Sequence, residues 1–263
     1  LAVTLKGYYE GVLPHIDYRA IVHKANVATR TASADVLAEL GRKVGNMIVS
    51  SADLANSDKT DAFLKQTGAL KHGDFTGAFL HAGVSELTMA SIMNGIVLHG
   101  GMLAACGTFF VFSDYMKPAV RMAALMELPV KYVWTHDAFR VGEDGPTHEP
   151  VEQEAQIRLL EELHNLSGRR SMLVIRPADS AEATIAWEMA MENRDTPTAL
   201  ILTRQDVTDL PSVTGDRYDE AEGMRRGGYV VMDAPSAEVT LVANGSEVSL
   251  LCPVAVLLEA EGV

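Results

Sequence analysis

Short apolar runs recur along this chain, and each gives way to a polar turn and then to a stretch of helical spacing. That alternation is the tightest constraint on the fold. Parallel strands need long crossovers, and strands apolar on both faces need helices to cover both faces. Strands are expected over residues 47–50, 77–81, 103–109, 130–135, 172–176 and 198–203. Helices are expected over 31–44, 86–98, 117–127, 151–163 and 180–192. Thr31 or Ser33 is the expected cap of the first helix, Gly100-Gly101 the stop of the second, and Pro118 is expected in the first turn of the third. The fold class read from this pattern is α/β, a doubly wound parallel sheet.

In such sheets ligands sit beyond the carboxyl ends of the strands. The rule points to Ser51-Ala52-Asp53, residues 82–86, 109–115 and 136–148, and Arg204. The flanks read differently. Residues 1–26 are weakly patterned and are expected to be a linker or an arm from a preceding domain. Residues 27–212 form the main domain, and 213–263 a linker and the start of a second α/β domain. Within these flanks, 205–228 is polar and turn-rich, 239–243 reads as a strand and 247–261 as a helix. One βα unit cannot close a core, so the chain is expected to stop inside that second domain. The first residue is Leu1 rather than Met, which fits a processed chain or a fragment.

Charge narrows the partners. The formal net charge of -13 disfavours nucleic acid, which needs a basic footprint. No apolar run approaches the roughly 20 residues needed to span a bilayer, so no membrane partner is expected. Cys106 and Cys252 lie in apolar settings and read as packed thiols, which fits a reducing, cytoplasmic compartment.

Four groups of residues could carry chemistry. The first is Thr135-His136-Asp137 followed by Gly142-Glu143-Asp144-Gly145-Pro146-Thr147-His148-Glu149-Pro150. Glycines and prolines set an unusual backbone path there, and its histidines and carboxylates suit hydroxyl binding and proton relay. The plain alternative is a polar surface loop; a metal site is disfavoured because His136 and His148 lack close ligand spacing. The second is Phe109, Phe112 and Tyr115, either a core cluster or a stacking wall for a flat heteroaromatic ring. The third is Glu86 at a helix start, either a dipole-stabilised anion or a buried carboxylate aimed at a ring nitrogen. The fourth is Arg30, Ser51 and Arg204, which could meet phosphate oxygens or serve in structural pairs.

Taken together these segments resemble transketolase. The matching stretches are Ser51-Ala52-Asp53-Leu54, Gly83 to Glu86, Gly107 through Tyr115, Ala119-Val120-Arg121, Thr135-His136-Asp137, Val141 to Pro150, Arg176-Pro177-Ala178-Asp179, Thr203-Arg204-Gln205 and Gly245-Ser246-Glu247-Val248. They fall in the family's order. The resemblance implies the thiamine-diphosphate-binding fold, with this chain as its pyrimidine-binding domain. It implies transfer of a two-carbon ketol unit between sugar phosphates in the pentose phosphate pathway. By the same resemblance Glu86 bonds N1′ of the aminopyrimidine and drives its proton-accepting tautomer. Phe112 stacks on that ring, with Phe109 and Tyr115 completing the pocket. His136, Asp144 and His148 hold the sugar, His136 and His148 also serving as catalytic groups, and Arg30, Ser51 and Arg204 clamp its phosphate.

Two departures are visible. Ser85 and Leu87 flank Glu86 where many relatives carry Arg and His, and Ala138-Phe139-Arg140 is bulkier than usual. The family's diphosphate-binding domain, with its ligands for Mg²⁺ or Ca²⁺, is absent from this chain. A homodimer is implied, its site shared with that domain of a partner subunit, and the chain alone is expected to be inactive. Competing readings are another thiamine-diphosphate enzyme, of the deoxyxylulose-phosphate synthase or 2-oxo-acid dehydrogenase β type, and a non-catalytic binding module.

Overall fold

A computed structural model describes residues 2–138, 140–235 and 237–262; the bulky Phe139 lies outside the described residues. Six strands form one all-parallel sheet: β1 (Met47–Ser51), β2 (Phe79–His81), β3 (Leu103–Phe109), β4 (Lys131–Thr135), β5 (Leu173–Ile175) and β6 (Thr198–Leu202). Their spatial order is β2-β1-β3-β4-β6-β5. The helices are α1 (Ala2–Tyr9), α2 (Thr29–Lys43), α3 (Ala55–Asp58), α4 (Asp61–Thr67), α5 (Glu86–His99), α6 (Ser113–Leu125), α7 (Gln153–Glu162), α8 (Ser180–Glu192), α9 (Arg217–Ala221) and α10 (Val248–Glu261).

Strand periodicity sorts the core into two layers. Leu103, Ala105, Val133 and Leu200 face α2, α4 and α8, meeting Val36, Leu40, Phe63 and Trp187. Ala104, Cys106, Tyr132, Trp134 and Ile201 face α5, α6 and α7, meeting Met89, Met93, Met116, Val120 and Ile157. The sheet is thus covered on both faces, as its apolar strands require. Cys106 and Cys252 are both free thiols, and burial pushes the Cys106 thiol up.

Three local expectations are corrected. Neither Thr31 nor Ser33 caps α2: the helix starts at Thr29 from Ala28, with no side-chain cap bond. The polar groups are used across the fold instead. Thr29 and Thr203 exchange bonds of 2.8 Å, and Trp187 donates to Ser33 Oγ at 2.8 Å. Pro118 is not in the first turn of α6, which begins at Ser113 and carries the proline in its interior. The turn before Pro118 is held by Lys117, which donates to Asp114. Residues 239–243 form no strand; Val239 and Val242 are 52% and 85% exposed, and among the described residues no strand pairs with them. Residues 1–26 and 205–228 both carry helix, and Arg217 of α9 reaches Asp179 at 2.7 Å and Glu182 at 3.0 Å across to α8. Among the described residues no helix is long and apolar enough to cross a membrane.

Candidate functional site

The site grows from the carboxyl ends of β3 and β4. Phe109 and Thr135 are partners in register at those ends. Beyond them the chain turns twice. After β3 it makes a 3-10 turn over Phe110–Phe112, which divides the aromatics. Phe110 drops into the core against Trp134, with ring centroids 5.7 Å apart, while Phe109 and Phe112 stack at 5.9 Å and 10°. Tyr115, one turn on and 62% exposed, lies 6.1 Å from Phe112.

After β4, His136 takes a left-handed backbone with φ of 63°, rare for a residue with a side chain. That turn lays its ring on Phe109, with centroids 3.6 Å apart. The loop beyond it folds back through Gly142 and Gly145, both with φ of 75°. It brings the His148 ring edge-on to Phe109 at 6.0 Å and Phe112 at 5.3 Å. Phe109, Phe112, Tyr115, His136 and His148 therefore form one contiguous cluster.

Cations converge beside it. Burial first, then the charges of Arg30, Arg204 and His148, push His136 down to about 3, so its ring is neutral in ordinary conditions. The 3.7 Å approach of His136 Nε2 to Asp144 is therefore not an ion pair at neutral pH. Arg204, just past β6, reaches Glu143 at 2.9 Å and Asp144 at 3.6 Å. A Cβ on Gly142 would lie 3.1 Å from Arg204 Nη1, so the glycine lets the loop close over the guanidinium. Arg30, in the first turn of α2, donates to the Ser57 carbonyl at 2.8 Å, and its buried Nε has no partner. Burial and then the charge of Arg204 hold Arg30 below its ordinary value. Among the described residues no carboxylate pairs with Arg30.

No hydrogen bond joins Ser51 or Glu86 to that cluster among the described residues. Ser51 is buried; its hydroxyl donates to Asp58 at 2.6 Å and accepts the Leu54 N–H at 3.1 Å. Asp58 is a residue that sequence reasoning missed. It also accepts from the Thr60 N–H at 2.9 Å and hydroxyl at 2.7 Å, and burial pushes it up to about 6 against these bonds. It fits because Gly107 lies beneath it: a Cβ there would sit 2.6 Å from Asp58 Oδ2. A glycine in the middle of a buried strand was the available signal. Glu86 opens α5 at the same edge of the sheet and is 8% exposed. Its carboxylate has no hydrogen-bond or ion-pair partner among the described residues. Among those residues no group of three or more His, Cys, Asp and Glu could hold a metal ion.

Residues 25–209, which include every residue of this site from Arg30 to Arg204, match the family model described as transketolase, pyrimidine binding domain. The chain belongs to this family. It is 46% identical over 239 residues to a transketolase of Halalkalibacterium halodurans, covering 90% of this chain and 34% of that protein. A solved transketolase from Pichia stipitis in complex with sedoheptulose-7-phosphate superposes with a TM-score of 0.85 at 36% identity, covering 99% of this chain and 38% of the other. A further structure, described as a split gene transketolase, inactive beta4 tetramer, gives a TM-score of 0.68 at 27% identity over 91% of this chain and 69% of the other. The chain spans about a third of the length of the curated transketolases it matches, 34% of the Halalkalibacterium protein and 38% of one from Geobacillus stearothermophilus.

Proposed function

We propose that this chain supplies the aminopyrimidine-facing and sugar-facing side of a thiamine-diphosphate-dependent transketolase, which transfers a two-carbon ketol unit between ketose and aldose phosphates. The observation that carries the reading is the meeting of Arg30, Arg204 and neutral His136 beside a stacked aromatic wall. Arg30, lowered by burial and then by the charge of Arg204, and without a carboxylate partner among the described residues, favours an added anion. The relative bound to sedoheptulose-7-phosphate supports a sugar phosphate as that anion.

The cofactor suits the residues present. A flat ring fits the Phe109–Phe112–Tyr115 wall, and the unpartnered Glu86 carboxylate is free to accept a hydrogen bond from a ring nitrogen. When bound, thiamine diphosphate supplies the electron sink for carbon–carbon cleavage. The chain's own residues do the rest. Glu86 holds a proton at the pyrimidine nitrogen, neutral His136 and His148 offer ring nitrogens to sugar hydroxyls, and Asp144 accepts from them. Arg30 and Arg204 hold the phosphate by paired N–H donors.

In this reading residues 27–212 are the pyrimidine-binding domain and 213–263 the linker and first part of a second domain. Mg²⁺ or Ca²⁺ and the diphosphate are held by a domain outside these residues. The assembly is a homodimer in the cytoplasm, serving the pentose phosphate pathway. The apolar groove between α5 and α6, lined by Leu87, Leu98, Met122 and Met126, suits a subunit contact. The inactive split-gene relative fits the expectation that this portion alone does not turn over.

The deciding assay is ketol transfer between pentose phosphates with thiamine diphosphate and Mg²⁺. The chain alone is expected to give none, and adding the diphosphate-binding portion is expected to restore it. Robust turnover by the 263-residue chain by itself, or none after addition, would overturn the reading.

A further inference from the structure

Three segments far apart in the chain meet at Arg176. It lies just past β5, and its side chain is only 6% exposed. Its Nε and Nη2 both donate to Asp137 Oδ2, at 2.9 and 2.7 Å. Its Nη1 reaches Glu247 at 2.6 Å and donates to Asn244 Oδ1 at 2.7 Å, while Nη2 also donates to Ser246 Oγ at 3.1 Å. The Gly245 N–H donates to the Arg176 carbonyl at 3.1 Å. Glu154 of α7 stands 3.5 Å from Nη1.

Asp137 is the residue after His136, and its side chain is wholly buried. His136 holds a left-handed backbone that no glycine relieves. Such a conformation persists only where its surroundings over-determine it. On one side it is held by β4 and by the stack on Phe109. On the other it is held through Asp137, whose anchor is Arg176.

We propose that Arg176 is a positioning residue: by clamping Asp137 it fixes the turn that presents His136, and by binding Ser246 and Glu247 it couples that turn to docking of the segment that leads into α10. The role rests on the reading of His136 as a group facing the sugar. It differs from a plain staple between two parts of the fold, which would leave the His136 ring where it is. Arg176 suits the task because its planar fork bridges Asp137 and Glu247 at once, which a single lysine ammonium cannot do. Gly245 is tailored to the same contact. Its φ is +56°, and a Cβ there would fall 2.6 Å from Arg176 Cγ and Nε.

The test tracks the His136 ring in the 263-residue chain by NMR of labelled histidines, read as a titration midpoint. The charged groups facing that ring are Arg30, Arg204, Asp144 and His148; Arg176→Met also leaves Asp137 without its counter-charge, so Gly245→Ala, which changes no charge, is the deciding variant. Arg176→Met and Gly245→Ala are each expected to move the midpoint by about one pH unit or more toward the ordinary histidine value as the ring gains water. Arg176→Lys is expected to restore part of the shift. Hydrogen exchange over 248–261 is expected to rise in the same variants. Should Arg176→Met fail to fold, Gly245→Ala and Arg176→Lys decide. A His136 midpoint that stays put while 248–261 loosens would reduce Arg176 to a staple and overturn the proposal. The sugar-facing reading fails separately, if His136→Asn in the assembled enzyme leaves KM and kcat unchanged.

Discussion

The ring of His136 lies face to face on Phe109, 3.6 Å between centroids and 29° from parallel. Each residue ends or succeeds one of two neighbouring strands, so sheet pairing sets them side by side and the left-handed turn at His136 lays one ring on the other. The stack keeps His136 dry, and its proton affinity falls to about 3. As pH falls below the ordinary histidine value of 6.5, the unfolded chain takes up a proton that the folded chain refuses, so stability is lost on the way down to about 3. Replacing His136 by Gln should cost about 0.5–1.5 kcal/mol of stacking at neutral pH. That deficit should vanish or reverse at pH 4, with urea unfolding measured at the two pH values. A deficit that is the same at both would show that the ring titrates normally.

Asp58 works in the opposite sense. Its folded affinity is raised from 3.8 to about 6, so the folded chain binds the proton more tightly and loses stability as pH rises through that window. Asp58→Asn keeps acceptance from Thr60 and removes the buried charge. It should leave stability near unchanged at pH 4 and raise it by roughly 1–3 kcal/mol at pH 7. Denaturation midpoints across pH 4–7 would check this, and a variant less stable at pH 7 would contradict it.

Glu86 is 8% exposed and its carboxylate is unpaired among the described residues. Glu86→Gln in the assembled enzyme should lower turnover on the order of 10²–10⁴-fold, the usual loss with general acid–base help. A helix-start anion would give only about 0.3–1 kcal/mol of stability change with turnover intact. Exchange of the cofactor's C2 proton, read by NMR in both proteins, separates the two; equal rates would leave only the dipole role.

Arg30 and Arg204 share their site with a neutral histidine and few carboxylates. Changing either to Leu should raise KM for a phosphorylated sugar by roughly 10–100-fold, the worth of a charge-assisted bond. The unphosphorylated sugar should be nearly unaffected. A parallel rise for both sugars would place the arginines elsewhere than on the phosphate.

Much of this was legible in the chain itself. The runs at 103–109 and 198–202 announced buried strands because every residue there is apolar or small, and α8 was readable to its bounds from its spacing. The residues gathered at the candidate site were readable because a doubly wound sheet exposes the residues just beyond its strand ends. Helices α3 and α4 were missed because short polar segments carry little periodicity. The expected strand at 239–243 failed for a different reason: an apolar pattern makes a strand only where a neighbour accepts its hydrogen bonds.

The sequence by itself determined the fold class and the residue types gathered beyond the carboxyl ends of the strands, because local periodicity and turn residues act over a few positions. Only the tertiary structure decided which of those residues meet. Gly107 makes room for Asp58 only because β3 runs beneath the turn after β1, and Arg176 finds Asp137 and Glu247 only because three distant segments end at one edge. Burial and neighbouring charge, which set His136 neutral and Asp58 half-protonated near pH 6, are properties of packing and have no trace in linear order.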